Sequence, residues 1–163
     1  KAFALEHADI PSLVRETAAL MRPRAEEKGL TLTESIADVP EERWPLVDAL
    51  ALRQALVNLL DNAVKFTPAG GQIELSFAEE NGAPIFRVAD TGIGIDPREH
   101  ERIFERFHRG DNGLTRETTG AGIGLSLVRH IAEAHGATVR VESEPGRFSR
   151  FTLHFPPVPC ASC

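Results

Sequence analysis

The chain has 163 residues, 42% of them hydrophobic and 26% charged, with a formal net charge of −6. That is the size and make-up of one globular domain, which excludes a disordered segment and leaves little room for two domains. The acidic balance argues against a nucleic-acid partner, which asks for a basic face.

No apolar run approaches the ~20 residues of a membrane span and no signal peptide opens the chain, so no direct membrane contact is expected of it. Cys160 and Cys163 stand together at the C-terminal end. They make no framework disulfide, which fits a reducing, cytoplasmic compartment. A lone CxxC also lacks the further ligands of a metal site. Lys1 in place of Met suggests a processed or excised fragment.

Phe3, Leu5 and His7 alternate as in a short first strand. Asp9 followed by Ile10-Pro11 reads as an N-cap and first turn, opening a helix over about 10–28. Leu13, Val14, Thr17, Leu20 and Met21 recur at helical spacing. Pro23 is expected to kink or divide this helix, and Gly29 to cap it. Arg15, Arg22, Arg24 and Glu26-Glu27 read as its solvated face. Leu30 to Ile36 reads as a strand and 37–45 as a loop.

Asp48 is the N-cap candidate of the most regular helix, whose apolar stripe is Leu52, Ala55, Leu56, Leu59, Leu60 and Ala63. Pro68-Ala69-Gly70-Gly71 ends it. Two strands, about 72–79 and 84–90, flank Glu80-Asn81-Gly82, a hairpin signal. A short helical piece is expected over 97–105, then a long mobile polar loop over 108–121 of the kind that serves as a lid. A helix from about Gly122 to His135 with Gly136 as cap follows, and then a hairpin of 137–143 and 147–155. The domain is expected to span 1–156, with 157–163 a disordered tail. Helices beside hairpin-joined strands make an α+β, two-layer sandwich with about five strands and three main helices on one face.

Four segments carry candidate chemistry. In Asn58-Leu59-Leu60-Asp61-Asn62-Ala63-Val64-Lys65-Phe66, Asn58, Asn62 and Lys65 share one helix face. Amide oxygens suit a hard cation such as Mg²⁺, and the ammonium suits a phosphate. In Asp90-Thr91-Gly92-Ile93-Gly94-Ile95, an acid at a strand end meets a turn that allows close backbone approach. The carboxylate can accept from an exocyclic amine. Ile103-Phe104-Glu105-Arg106-Phe107-His108-Arg109 joins two core-spaced phenylalanines to two arginines. Gly120-Ala121-Gly122-Ile123-Gly124-Leu125 offers backbone N–H groups at a helix start, a phosphate cradle in form. It is neither a P-loop nor the dinucleotide fingerprint.

In this order the four segments resemble the N, G1, F and G2 boxes of the catalytic ATP-binding domain of sensor histidine kinases. That domain belongs to the GHKL superfamily, with the Bergerat fold shared by gyrase, mismatch-repair and heat-shock chaperone ATPases. The resemblance runs over nearly the whole chain and implies a mixed five-stranded sheet under three helices, with ATP (or ADP) held between sheet and lid. It implies that Asn58 and Asn62 hold Mg²⁺ and the phosphates, that Lys65 reaches the phosphates and that Phe66 lies against adenine. By the same resemblance Asp90 is expected to accept the adenine amine in a pocket shaped by Gly92, Ile93, Gly94 and Ile95, and Thr152 to contact adenine through water. Gly120, Gly122, Ile123, Gly124 and Leu125 are expected to form the lid hinge and phosphate cradle. Asn58, Lys65, Arg106 and Arg109 are the catalytic candidates, with Arg109 preferred for the γ-phosphate.

Hydrolytic relatives carry glutamate where this chain has Asn58, and an amide is no general base at neutral pH. Phosphoryl transfer is therefore favoured over ATP hydrolysis. The rival readings are a superfamily ATPase or serine kinase, disfavoured by Asn58, and a nucleotide-sensing scaffold, disfavoured by four intact boxes. None of His7, His100, His108, His130, His135 and His154 stands in a phosphoacceptor motif. The implied partners are the histidine-bearing dimerisation helices, a module absent here, and a response regulator. The implied site is a cytosolic domain, of a parent of a kind often anchored in the inner membrane.

Overall fold

A computed structural model describes residues 2–105 and 121–158, with the backbone alone at 121–123. Arg106, Arg109, Gly120, all but the last residue of the loop expected over 108–121, and residues 159–163, with Cys160 and Cys163, lie outside the described residues.

Helix α1, Ile10–Glu27, starts where Asp9 Oδ1 accepts the Ser12 N–H at 3.0 Å, with proline in the first turn. It closes in a Schellman turn: the Gly29 N–H donates to Glu26 O and the Leu30 N–H to Ala25 O, both at 2.9 Å. Contrary to expectation, α1 runs undivided through Pro23. The ring removes one backbone bond near the helix end, but Met21 and Ala25 on either side stay buried in the core. The Arg22 side chain also ties this turn to Leu32 O and Glu34 Oε1.

Strand β1 is Thr31–Ile36 and helix α2 is Ala49–Phe66. Asp48 caps α2, its Oδ1 accepting from the Ala51 N–H and its Oδ2 from the Ala4 N–H, each at 3.1 Å. Strands β2, Gln72–Glu80, and β3, Ala83–Asp90, meet through Asn81 (φ 53°) and Gly82 (φ 79°). Both residues sit in the left-handed region a type I′ hairpin turn demands. The piece expected to be helical over 97–105 is two 3-10 turns, Pro97–Glu99 and Arg102–Phe104. Helix α3, Ala121–Ala134, precedes the hairpin of β4, Thr138–Glu144, and β5, Phe148–His154. The strand expected at 3–7 reduces to one antiparallel bridge, Glu6 to Val47.

The sheet order is β1-β2-β3-β5-β4, with β1 and β2 parallel and the other pairs antiparallel. Register sets its two faces. Leu75 stands opposite Val88, and Val88 opposite Phe151; Phe77 stands opposite Phe86, and Phe86 opposite Leu153. All six are buried and join the α2 stripe, including Leu52, Leu56, Leu59 and Leu60, in one core. A fully buried side chain of this size contributes about 1.5–3 kcal/mol, so this layer holds α2 against the sheet. Asp90 continues the same row, opposite Ile73 on one side and Ser149 on the other.

A buried imidazole fastens the end of the molecule where the N-terminal segment arrives. His135 Nε2 accepts the Asp48 N–H at 3.0 Å, and its Nδ1 faces Ile131 O at 2.8 Å. The first bond requires an unprotonated Nε2, so the proton sits on Nδ1. Phe3 and Phe155 pack on the ring. His135→Leu keeps the bulk and strands the Asp48 N–H; it should lower stability by about 1–2 kcal/mol. Urea denaturation reads this directly, and an unchanged midpoint would show the bonds contribute nothing.

Candidate functional site

Local sequence places the site at the C-terminal halves of α2 and β3. The leucine stripe of α2 faces the core, so the opposite face carries Asn58, Asn62 and Lys65. Asn58 reaches across to the start of α3: its Nδ2 donates to Gly124 O at 3.3 Å, and its Oδ1 accepts from Gln54 Nε2 at 2.8 Å. The first and fourth segments therefore meet. A Cβ on Gly124 would come within 3.8 Å of Asn58 Nδ2. Gly122 and Ile123 belong to the first turn of α3. Leu125 is buried in the hydrophobic core, so its side chain serves packing and not the cradle.

Asn62 is buried and its Oδ1 has no hydrogen-bond partner. Thr67, just past α2 and wholly buried, has an unpartnered Oγ1. The other buried side-chain atoms without hydrogen bonds, among the described residues, belong to Arg43, Arg53, Asp61 and Glu79, all held in ion pairs. Two neutral orphans at one end of α2 are therefore conspicuous, since a buried acceptor left unpaired costs about 1–3 kcal/mol. Asn62 Oδ1 is the kind of oxygen that coordinates a hard cation or accepts from its bound water, so the residues present fit Mg²⁺. Lys65 points elsewhere than its helix position suggests: its Nζ lies 3.2 Å from Asp61 Oδ2.

Asp90, at the end of β3, is 6% exposed. Its Oδ1 accepts the Gly92 N–H at 2.8 Å. Burial pushes the carboxyl up to about 6, while backbone N–H bonds from Gly92 and Ser149 favour the charged form. Gly92 is enclosed by oxygens: a Cβ there would lie 2.5 Å from Phe66 O, 2.7 Å from Asp90 Oδ1 and 3.0 Å from Thr67 Oγ1. Phe66, half-buried, also accepts the Ile93 N–H at 3.1 Å, which ties the turn to the end of α2. Ile95 packs on the core, and its carbonyl accepts from Ser143 Oγ at 2.7 Å. A ligand group entering beside Asp90 would thus meet a fixed, mostly acceptor wall.

Thr152 does not belong to this wall. It stands opposite Arg87 and Arg140 on the other sheet face, and its Oγ1 accepts from Arg87 Nε at 2.9 Å. Register therefore does not bring it together with Asp90. Ser149, buried, stands opposite Asp90 instead. Counting back by two from Phe151 finds it, because side chains of one face recur every second residue.

Comparison with known proteins agrees with this geometry. Residues 47–159 match the family described as "Histidine kinase-, DNA gyrase B-, and HSP90-like ATPase". The sensor-like histidine kinase SenX3 of Mycobacterium tuberculosis is 38% identical over 148 residues, 91% of this chain and 35% of SenX3. The phosphate regulon sensor protein PhoR of Pseudomonas aeruginosa is 45% identical over 111 residues, 68% of this chain and 25% of PhoR. The chain thus spans about a third of the length of the SenX3 relatives it matches. Full-length ShkA, solved in complex with AMPPNP, superposes with a TM-score of 0.83 at 37% identity, covering 99% of this chain and 33% of ShkA. The nucleotide-free catalytic domain of histidine kinase ThkA superposes at 0.79 with 22% identity, covering 95% of this chain and 97% of that one; at that identity the likeness speaks for the fold alone. The chain belongs to the histidine kinase-, DNA gyrase B- and HSP90-like ATPase family, and the relatives it matches within that family are sensor histidine kinases.

Proposed function

We propose that this chain is the ATP-binding catalytic domain of a sensor histidine kinase, which donates the γ-phosphoryl group of ATP to a histidine on a separate helical dimerisation module. Onward transfer to a response-regulator aspartate, in a cytosolic setting, completes the proposal. The single observation that carries it is the buried Asp90 carboxylate, beside enclosed Gly92 and within one site with the amide face of α2.

Each residue then has a task. Asp90 accepts the adenine N6 amine, and guanine, with a carbonyl at that position, is rejected. Ser149 takes the water-mediated adenine contact expected of Thr152, and Thr67 Oγ1 adds a polar group to the same wall. Asn62, joined by Asn58, would hold Mg²⁺, which would supply positive charge against the phosphates. Lys65 and the backbone N–H groups at the start of α3 orient the phosphates. Arg106 and Arg109 remain the candidates for γ-phosphate contact. The incoming imidazole nitrogen forms a P–N bond as the bond from γ-phosphorus to the β–γ bridging oxygen breaks, and ADP leaves. Catalysis is positioning and charge stabilisation. Asn58, an amide bonded to Gln54, offers no base to activate water.

Calorimetric titration with ATP and GTP, with and without Mg²⁺, tests this reading. Binding of ATP at least about tenfold tighter than GTP is expected, since losing one hydrogen bond to a charged group costs about 1.5–3 kcal/mol. Equal affinity would overturn the role of Asp90. Phosphate release by the isolated chain should stay at background, and rapid turnover would make it a hydrolytic ATPase instead.

A further inference from the structure

The carboxylate of Asp61 lies between two cations. Arg24, in the last turn of α1, places Nη2 2.9 Å from Asp61 Oδ1, and Lys65 places Nζ 3.2 Å from Oδ2. The Asp61 and Lys65 side chains are only 25% and 29% exposed. Beside them Lys28, at the C-cap of α1, donates to Val64 O and Lys65 O at 2.7 and 2.9 Å. The end of α1 therefore fixes both the backbone that carries Lys65 and the carboxylate that holds its ammonium. Arg24 lies on the solvated helix face expected of it, 57% exposed, and reaches Asp61 from there.

A Lys65 ammonium that turns to a phosphate gives up part of its contact with Asp61. If Lys65 were the only partner of Asp61, its departure would leave a largely buried carboxylate uncompensated, which is costly. A second cation already on the other oxygen removes most of that cost. We propose that Arg24 and Asp61 are positioning residues for Lys65. Asp61 parks the ammonium beside the nucleotide site, and Arg24 keeps the carboxylate neutralised when Lys65 turns to the phosphates. This rests on the reading of Lys65 as a phosphate contact in an ATP site.

A thermodynamic cycle on the whole chain tests it, with ATP, ADP and adenosine as probes. Arg24→Gln should weaken ATP and ADP binding about two- to fivefold, the range of partly exposed ion pairs, and leave adenosine unchanged. Arg24→Lys should restore most of the loss. Asp61→Asn should tighten ATP slightly, by freeing Lys65 and removing a negative charge near the phosphates. In the Asp61→Asn background Arg24→Gln should do nothing. An equal loss in both backgrounds would mean that Arg24 acts by its own charge, and the proposal falls. Weakened adenosine binding would mark a merely structural role, with the same consequence. Wild-type ATP binding that Asp90→Asn leaves intact would instead sink the underlying reading of the site. Binding that depends on Asp90, with an Arg24 effect indifferent to Asp61, would sink this proposal alone.

Discussion

Asp90→Asn should cut ATP affinity about 100-fold and yet make the nucleotide-free chain more stable at pH 7.5. The two effects have one cause. The carboxylate is buried where the adenine amine is proposed to bind, and burial is the largest influence on its ionisation, raising it from 3.8 to about 6. Keeping it charged at neutral pH therefore opposes folding by an amount on the order of 2–3 kcal/mol. Asparagine removes that burden. Its amide oxygen can still accept the Gly92 N–H, but its NH₂ meets the Ser149 N–H, donor to donor, which returns part of the gain. A net stabilisation of about 1 kcal/mol, a few degrees in melting temperature, is expected. Against ATP the same NH₂ faces the adenine amine, again donor to donor. A variant that binds ATP normally, or one that melts well below wild type, would show that burial of this charge is not what shapes the site.

The pH dependence separates the two effects further. A folded-state value near 6 against an unfolded value near 3.8 means that the native chain holds a proton the unfolded chain has lost. Stability from this group is fully present below about 3.8 and is lost as pH rises through about 6. ATP affinity should run the other way, falling as pH drops through 6, because the amine is best accepted by the carboxylate. The Asp90 part of both slopes should vanish in Asp90→Asn, leaving the opposite stability slope of His154, whose ionisation burial lowers from 6.5. Asp96, held near 2 by Arg98, and Asp9 and Asp48, lowered by backbone N–H bonds at the helix caps, lose their contribution as pH falls below 4. They do not overlap this window.

What the sequence made legible was set by local rules. Asp9-Ile10-Pro11, Asp48, Asn81-Gly82 and the Gly29 and Gly136 caps act within a few residues of themselves, and each behaves in the structure as its chemistry demands. The errors arose where a distant partner decides. Phe3, Leu5 and His7 alternate like a strand, but Phe3 packs on the His130 and His135 rings and a single bridge to Val47 remains. Pro23 reads as a breaker, but burial of its neighbours carries the helix past it. Thr152 has the residue type the resemblance asks of the last strand, but which face a strand residue takes follows from the register of β3 against β5. Lys65 illustrates the same limit: its helix face is visible in the sequence, but the pull of Asp61, itself held by a residue of another helix, is not.

Among the described glycines, Gly94→Ala should be the most damaging single methyl, costing about 3 kcal/mol or more and abolishing ATP binding with it. Gly94 sits at φ 73°, which costs an L-residue about 1–2 kcal/mol by itself. The larger part is steric. A Cβ would overlap the Glu144 carbonyl oxygen and stand 2.8 Å from Pro145 Cα, which is backbone and cannot swing away. This is where the turn after β3 is riveted to the β4–β5 hairpin: Ile93 O accepts the Gly146 N–H at 2.6 Å. Relief of the overlap must separate the two turns, break that bond and shift Gly92 against Asp90. Gly146→Ala is the internal control. Its φ of 81° is equally unfavourable, but a Cβ there meets nothing within 4 Å, so only the conformational cost of about 1–2 kcal/mol should appear and ATP should still bind. Similar losses in the two variants would mean that the backbone conformation alone is at issue. A loss of ATP binding confined to Gly94→Ala would establish the contact between the two turns as what holds the Asp90 end of the proposed site in shape.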